Sequence, residues 1–146
     1  MKSVGPVAEK RRYYQREDVA EGYEGQRYGS PSGQRVLERE LAITLSMLST
    51  DRLVADIGCG PGRLSAALWE RGHSVISCDT SAAMLSLARR RGARLVVQGD
   101  AFNLPLSNGA CSSAISLRFL FHFQDVAPLL SECRRIVKDG GALVCD

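Results

Sequence analysis

The sequence predicts an α/β protein built on a doubly wound, mainly parallel sheet, and three observations point there. Short apolar runs alternate with segments of helical periodicity through most of the chain. The first of those runs, Leu53 to Ile57, ends in an acid and breaks into Gly58-Cys59-Gly60-Pro61-Gly62 before a helical pattern begins, which reads as strand, tight turn and helix. A second run ends at Asp79, 21 residues beyond Gly58, where a carboxylate reaches the ribose hydroxyls of a nucleoside held by such a turn.

Taken in order, residues 1 to 31 are polar and glycine-punctuated, with Tyr13, Tyr14, Tyr23 and Tyr28 spread among charges. They are expected to form a mobile arm with one short helix, and the tyrosines supply flat apolar area for a lid. From 32 to 146 the chain reads as one domain. Val36, Leu37, Leu41, Ile43, Leu45 and Leu48 recur at helical intervals behind Ser32, a candidate cap. The turn then allows the backbone to approach a ligand at Gly58, Gly60 and Gly62, with the N–H groups of the next helix favouring an anionic group. Asp56 at the strand end would repel a pyrophosphate and attract an ammonium.

The helix from about residue 62 to 71 stops at Gly72, and Ser74 to Cys78 form a second strand. Ser81 caps a helix that runs to Arg91 and is closed by Gly92, placing Met84 one turn in, either near a bound purine or as core. Arg94 to Gln98 is the third strand, followed by Asp100 and Ala101. A loop with Pro105 and Asn108-Gly109 leads into strand four, Ala110 to Leu117. The aromatic segment Arg118 to Phe123 should line the crevice at the strand ends, and His122 is the one histidine placed to titrate there. A helix after Asp125 closes near Gly140-Gly141, and Ala142 to Cys145 is a fifth strand.

Composition narrows the classes. Apolar residues at 45% and charged residues at 24% match an ordinary globular protein, and no apolar run approaches the ~18 residues of a membrane span. The triplets Lys10-Arg11-Arg12 and Arg89-Arg90-Arg91 lack aromatic interleaving, so a solvated face is favoured over a nucleic-acid contact. Five cysteines without a C-x-x-C pair or a histidine at ligand spacing read as reduced, with no metal site, in a cytoplasmic protein.

The pattern D-x-G-x-G-x-G at Asp56 to Gly62, with Arg63 where a dinucleotide fingerprint wants a small residue, argues against NAD or FAD. It resembles the first motif of the class I S-adenosylmethionine-dependent methyltransferases, most closely the branch acting on small molecules such as quinone precursors. The segment Asp79-Thr80-Ser81-Ala82-Ala83-Met84-Leu85 is similar to the sequence that follows that family's second strand.

The resemblance implies a Rossmann-like sheet of order 3-2-1-4-5 and S-adenosyl-L-methionine as cofactor, contacted by Asp56, Gly58, Cys59, Gly60, Gly62, Asp79, Thr80, Met84, Asp100, Ala101 and Leu117. In the family the acid at the Asp100 position accepts from the adenine amino group, and the next backbone N–H reaches a ring nitrogen. No protein nucleophile is needed. Where the acceptor must lose a proton, His122 or a tyrosine of the arm is the candidate, and the catalytic group itself is not identified. The family's last two strands are missing here. The sequence therefore also allows an inactive cofactor-binding module, or a fragment completed by a partner or a second copy at the strand-five edge.

Overall fold

The computed structural model describes residue 9, residues 12–48 and residues 53–146. Lys10 and Arg11 of the first basic triplet, and the side chain of Tyr28, lie outside the described residues. The elements are α1 (Glu17–Tyr28), α2 (Pro31–Met47), β1 (Leu53–Ile57), α3 (Arg63–Glu70), β2 (Ser74–Asp79), α4 (Ala82–Arg91), β3 (Leu95–Gln98), β4 (Cys111–Ser116), a 3-10 turn (Leu120–His122), α5 (Ala127–Ile136) and β5 (Val137–Cys145).

All five strands pair in parallel in the order β3-β2-β1-β4-β5. Strand alternation makes the sheet two-faced, because successive side chains leave opposite sides. Ala55 and Ile57 of β1, Ile76 and Cys78 of β2 and Ala114 of β4 meet Leu129, Cys133 and Ile136 of α5 on one face. Val54, Val75 and Ile115 pack with Leu41 of α2 and Leu64 and Leu68 of α3 on the other. Covering both faces with helices is what a parallel sheet requires.

Local signals set most of the boundaries. Ser81 caps α4 by accepting from Met84 N at 3.2 Å, and Gly92 closes it with φ 114°. The cap of α2 is Ser30, which accepts from Gly33 N at 3.2 Å with Pro31 at the first helical position; the expected cap, Ser32, sits one residue inside. Of the stripe expected on this helix Leu41 and Leu48 are buried, whereas Val36 and Ile43 are 46% and 57% exposed and Thr44, not expected there, is buried.

The N-terminal segment, expected to carry one short helix, contains the 12-residue α1, which packs against α4 and α2 and buries Ala20 to 1% exposure. One expectation is corrected. The helix expected to close near Gly140 ends at Ile136. Strand five begins at Val137, opposite Cys111, and the ladder resumes at Ala142 opposite Ser113. The intervening residues form a bulge, with Gly140 at φ 76°. All five cysteines are free thiols; Cys78, Cys111 and Cys133 are buried and Cys145 is exposed. No described helix is long and apolar enough to cross a membrane.

Candidate functional site

In a parallel sheet with one order reversal, the carboxyl ends of the strands share one edge, and side chains distant in sequence meet there. The loop after β1 is hung on β2: Gly58 N and Cys59 N both donate to Cys78 O, at 2.9 and 3.0 Å. Gly58, Gly60 and Gly62 all have positive φ (71°, 53° and 70°), so the turn depends on the residue type. Their surroundings differ. A Cβ on Gly58 would lie 2.5 Å from the Phe119 ring, and one on Gly62 would lie 2.5 Å from Ala88 Cβ, whereas Gly60 faces open space. Only at Gly60, then, is the absent side chain left for something from outside.

Asp79, at the end of β2, is held by the loop it serves. Gly60 N donates to its Oδ2 at 2.9 Å and Ser81 N to its Oδ1 at 2.8 Å. Burial still pushes its carboxyl above the usual range, against those two hydrogen bonds. The end of β3 is tied alongside by Gly99 N donating to Asp79 O at 3.0 Å. That tether carries Asp100, whose Oδ1 accepts from Phe102 N at 3.1 Å, and the buried Ala101.

Asp56, at the end of β1, is only 4% exposed. Ser65 Oγ donates to its Oδ2 at 2.6 Å, and Ser77 Oγ donates in turn to Ser65 Oγ at 2.7 Å. Burial, with the charge of Asp79 adding to it and the Ser65 hydrogen bond opposing, pushes this carboxyl up to about 6. A cation beside it would relieve that cost.

These groups border two connected hollows. The larger, of about 760 Å³ with its mouth included, has Asp79, Thr80, Met84, Asp100 and Ala101 on one side and an aromatic wall of Tyr14, Tyr23, Phe119, His122 and Phe123 on the other. The smaller, about 470 Å³, is bordered by Asp56, Cys59, Arg63 and Leu117. Gly58, Gly60, Tyr23 and Arg118 belong to both, so the two are one cleft bent around the glycine loop. Of the expected cofactor contacts all but Gly62, which faces α4, border it; of the aromatic stretch expected to line the crevice Phe119, His122 and Phe123 do so, while Phe121 is 60% exposed.

The aromatic wall is a chain of ring contacts. Tyr14 meets Tyr23 edge-on at 6.0 Å and His122 at 6.2 Å, and Phe119 meets Phe123 at 5.0 Å. Tyr14 is fastened to the sheet side through its carbonyl, which accepts from Ser81 Oγ at 2.7 Å. Arg118, two residues beyond β4, has φ 57°, an uncommon conformation for a residue with a side chain. It is held there by Asp146 Oδ1, which accepts from its N–H at 2.5 Å, and by an ion pair with Glu40 at 3.3 Å.

Four contributors escape sequence reasoning. Ser65 and Ser77 are ordinary serines in a helix and a strand, legible only as polar residues on otherwise buried faces. Arg118 lies within a stretch notable for its rings. Arg91, read as part of a solvated triplet, donates from Nη1 to Pro61 O at 2.6 Å.

The chain matches the family model described as Methyltransferase domain over residues 55–145. It is 41% identical over 97 residues to an uncharacterised 37.1 kDa protein in transposon TN4556 of Streptomyces fradiae, covering 61% of this chain and 28% of that protein. It is 39% identical over 94 residues to a demethylmenaquinone methyltransferase of Corynebacterium kroppenstedtii, covering 64% of this chain and 41% of the relative. The chain thus spans well under two thirds of the length of the curated relatives it matches. Among solved structures it resembles a SAM-dependent methyltransferase of Thermotoga maritima described as a possible histamine N-methyltransferase. The TM-score is 0.74 and the identity 26%, over 91% of this chain and 60% of the other.

Proposed function

Because the chain belongs to the Methyltransferase domain family, we propose that it binds S-adenosyl-L-methionine in the bent cleft and directs methyl transfer to a small-molecule acceptor. One observation carries this reading: Asp56, Asp79 and Asp100, from three strand ends, border a single cleft around the open face of Gly60. The chemistry of the donors fits the cofactor. A carboxylate accepting from two vicinal hydroxyls suits Asp79, and one accepting from an exocyclic amine, beside a fixed backbone N–H, suits Asp100 and Ala101. Asp56, buried and pushed up to about 6, suits an ammonium.

When bound, the cofactor supplies a methyl group already activated by its sulfonium. The chain's task is then to align the acceptor and keep water out. Tyr14, Tyr23, Phe119 and Phe123 form the apolar side of the cleft that would do both. His122, among them, is the group available to take a proton from an acceptor that must lose one. The demethylmenaquinone methyltransferase relative supports a small-molecule acceptor over a macromolecule. That curated relative is named as an enzyme, which favours methyl transfer over an inactive binding module. Five free thiols support a cytoplasmic setting.

Calorimetric titration with S-adenosylhomocysteine, the demethylated product, tests the reading. Binding in the micromolar range is expected, and Asp79→Ala should weaken it by about tenfold or more, the loss of hydrogen bonds to a charged acceptor. A folded sample that gives no heat, or an Asp79→Ala variant with unchanged affinity, would overturn it.

A further inference from the structure

Helix α4 does more than complete the crossover between β2 and β3. Its Ala88 is packed directly behind the glycine loop, where a Cβ on Gly62 would come within 2.5 Å of it. Its last residue, Arg91, crosses 30 positions of sequence to donate from Nη1 to Pro61 O at 2.6 Å. Arg89 and Arg90, its neighbours in the triplet, are exposed, while Arg91 is half-buried and burial lowers its pKa. The guanidinium is thus partly removed from water to reach a backbone carbonyl, and it borders neither hollow.

The consequence follows from peptide planarity. Fixing the Pro61 carbonyl toward α4 fixes the Pro61–Gly62 peptide plane, whose N–H points the opposite way and donates to Cys59 O at 3.0 Å. That plane is the entry to α3, whose first N–H groups have no intrahelical acceptor. With the carbonyl turned aside, the first turn of α3 presents its N–H groups, rather than an oxygen beside them, to an anionic group. Released from Arg91, the plane keeps only the Gly62 N–H bond to Cys59 O against a rotation that would bring the oxygen round.

We propose that Arg91 is a positioning residue: it holds the glycine loop in the form that accepts the amino-acid end of the cofactor, without touching the ligand. This rests on the cofactor reading above, and the experiment separates the two. S-adenosylhomocysteine carries the amino-acid end and 5′-methylthioadenosine lacks it, so calorimetry with both reads the two ends of the cleft apart.

Arg91→Ala should lose about tenfold in affinity for S-adenosylhomocysteine, the scale of one hydrogen bond to a charged group. Its affinity for methylthioadenosine should hold within about twofold. Arg91→Lys, with one remaining cationic donor, should recover most of the loss. Arg90→Ala removes the same charge from the exposed side of the helix end and should change neither affinity.

Equal losses for both ligands in Arg91→Ala, a matching loss in Arg90→Ala, or no loss at all would overturn the assignment while leaving the cofactor reading intact. Wild type binding neither ligand would overturn both. Should Arg91→Ala fail to fold, a normal two-ligand profile in Arg91→Met, which keeps the stem and removes the donor, would count against the proposal in the same way.

Discussion

Burial at the end of β1 costs Asp56 part of the solvation of its charge. Its folded pKa is pushed from 3.8 up to about 6, so the folded protein holds a proton that the unfolded chain releases. The contribution of this group to stability is fully present below its unfolded value and is lost as pH rises through about 6, by roughly 3 kcal/mol, an upper figure for a shift of this size. Asp56→Asn, which still accepts from Ser65 Oγ, should therefore be more stable than wild type at pH 8 by up to about 3 kcal/mol and no more stable at pH 4, in urea denaturation at both pH values. The same variant should bind S-adenosylhomocysteine more weakly at pH 8. Equal stabilities at both pH values would mean that the carboxyl is not buried as described. The glycines separate by the same kind of reasoning. Gly62→Ala drives a methyl into Ala88 and should cost about 2 kcal/mol or more of stability through overpacking added to a positive φ. Gly60→Ala meets no neighbour within 4 Å, so its stability cost should stay near the roughly 1 kcal/mol of the backbone conformation, while ligand affinity falls sharply. Paired melting curves and titrations would show whether stability and affinity divide this way.

At the scale of elements, the loop between β3 and β4 is held by α5 rather than by itself. Glu132 Oε1 accepts from Leu104 N at 2.6 Å, and Arg135 binds the same carboxylate at 2.6 Å. Arg135 also donates to Leu104 O, Leu106 O and Asn108 Oδ1 at 3.0, 2.7 and 2.9 Å. The guanidinium beside it holds the Glu132 carboxyl below the usual range. Arg135→Ala removes every one of those donors and leaves a carboxylate, 8% exposed in wild type, without its cation. A loss of about 3 kcal/mol is expected in urea denaturation, with faster proteolysis confined to residues 99–110. A variant within about 0.5 kcal/mol of wild type would show that the loop stands without the clip. None of this was legible in the sequence, although Glu132 and Arg135 sit one turn apart on α5. The helix announced itself through Leu129, Cys133 and Ile136, and what its polar side chains reach for lies 27 to 31 residues away. The start of β5 was missed for a related reason. Gly140-Gly141 has the composition of a helix end, and the register shift opposite Cys111 and Ser113 depends on β4, not on neighbouring residues. Where one residue carries both the local signal and the outcome, as at Ser81 and Gly92, the boundary was readable to the residue.

At the scale of the whole molecule, the site was more readable than its parts, because topology brings it together. Asp56, Asp79 and Asp100 each follow an apolar run, and parallel pairing of β1, β2 and β3 sets those runs' ends on one edge. The exception is the N-terminal side of the cleft. The tyrosines could be read as area for a lid, but α1 carries few apolar residues and Tyr14 precedes it, so periodicity did not fix where Tyr14 and Tyr23 sit; α1 packs against α4. That placement makes α1 and α4 one unit. Ser81 caps α4 and fastens Tyr14 O at 2.7 Å, while Asp79 two residues earlier accepts from the Ser81 N–H. Ligand contacts at Asp79 should therefore be felt in the tyrosine segment as well as in the sheet. In amide hydrogen exchange, saturating S-adenosylhomocysteine should slow residues 58–62, 79–81, 100–102 and 13–23 together, and leave β5 and the exposed end of α5 unchanged. Removing the shared hydroxyl with Ser81→Ala should cost about 1–2 kcal/mol, the scale of a lost N-cap, and should uncouple the response by returning residues 13–23 to their ligand-free rates while the loop at 58–62 stays protected. Protection of the loop without protection of residues 13–23 in wild type would mean that the tyrosines border the cleft but take no part in closing it.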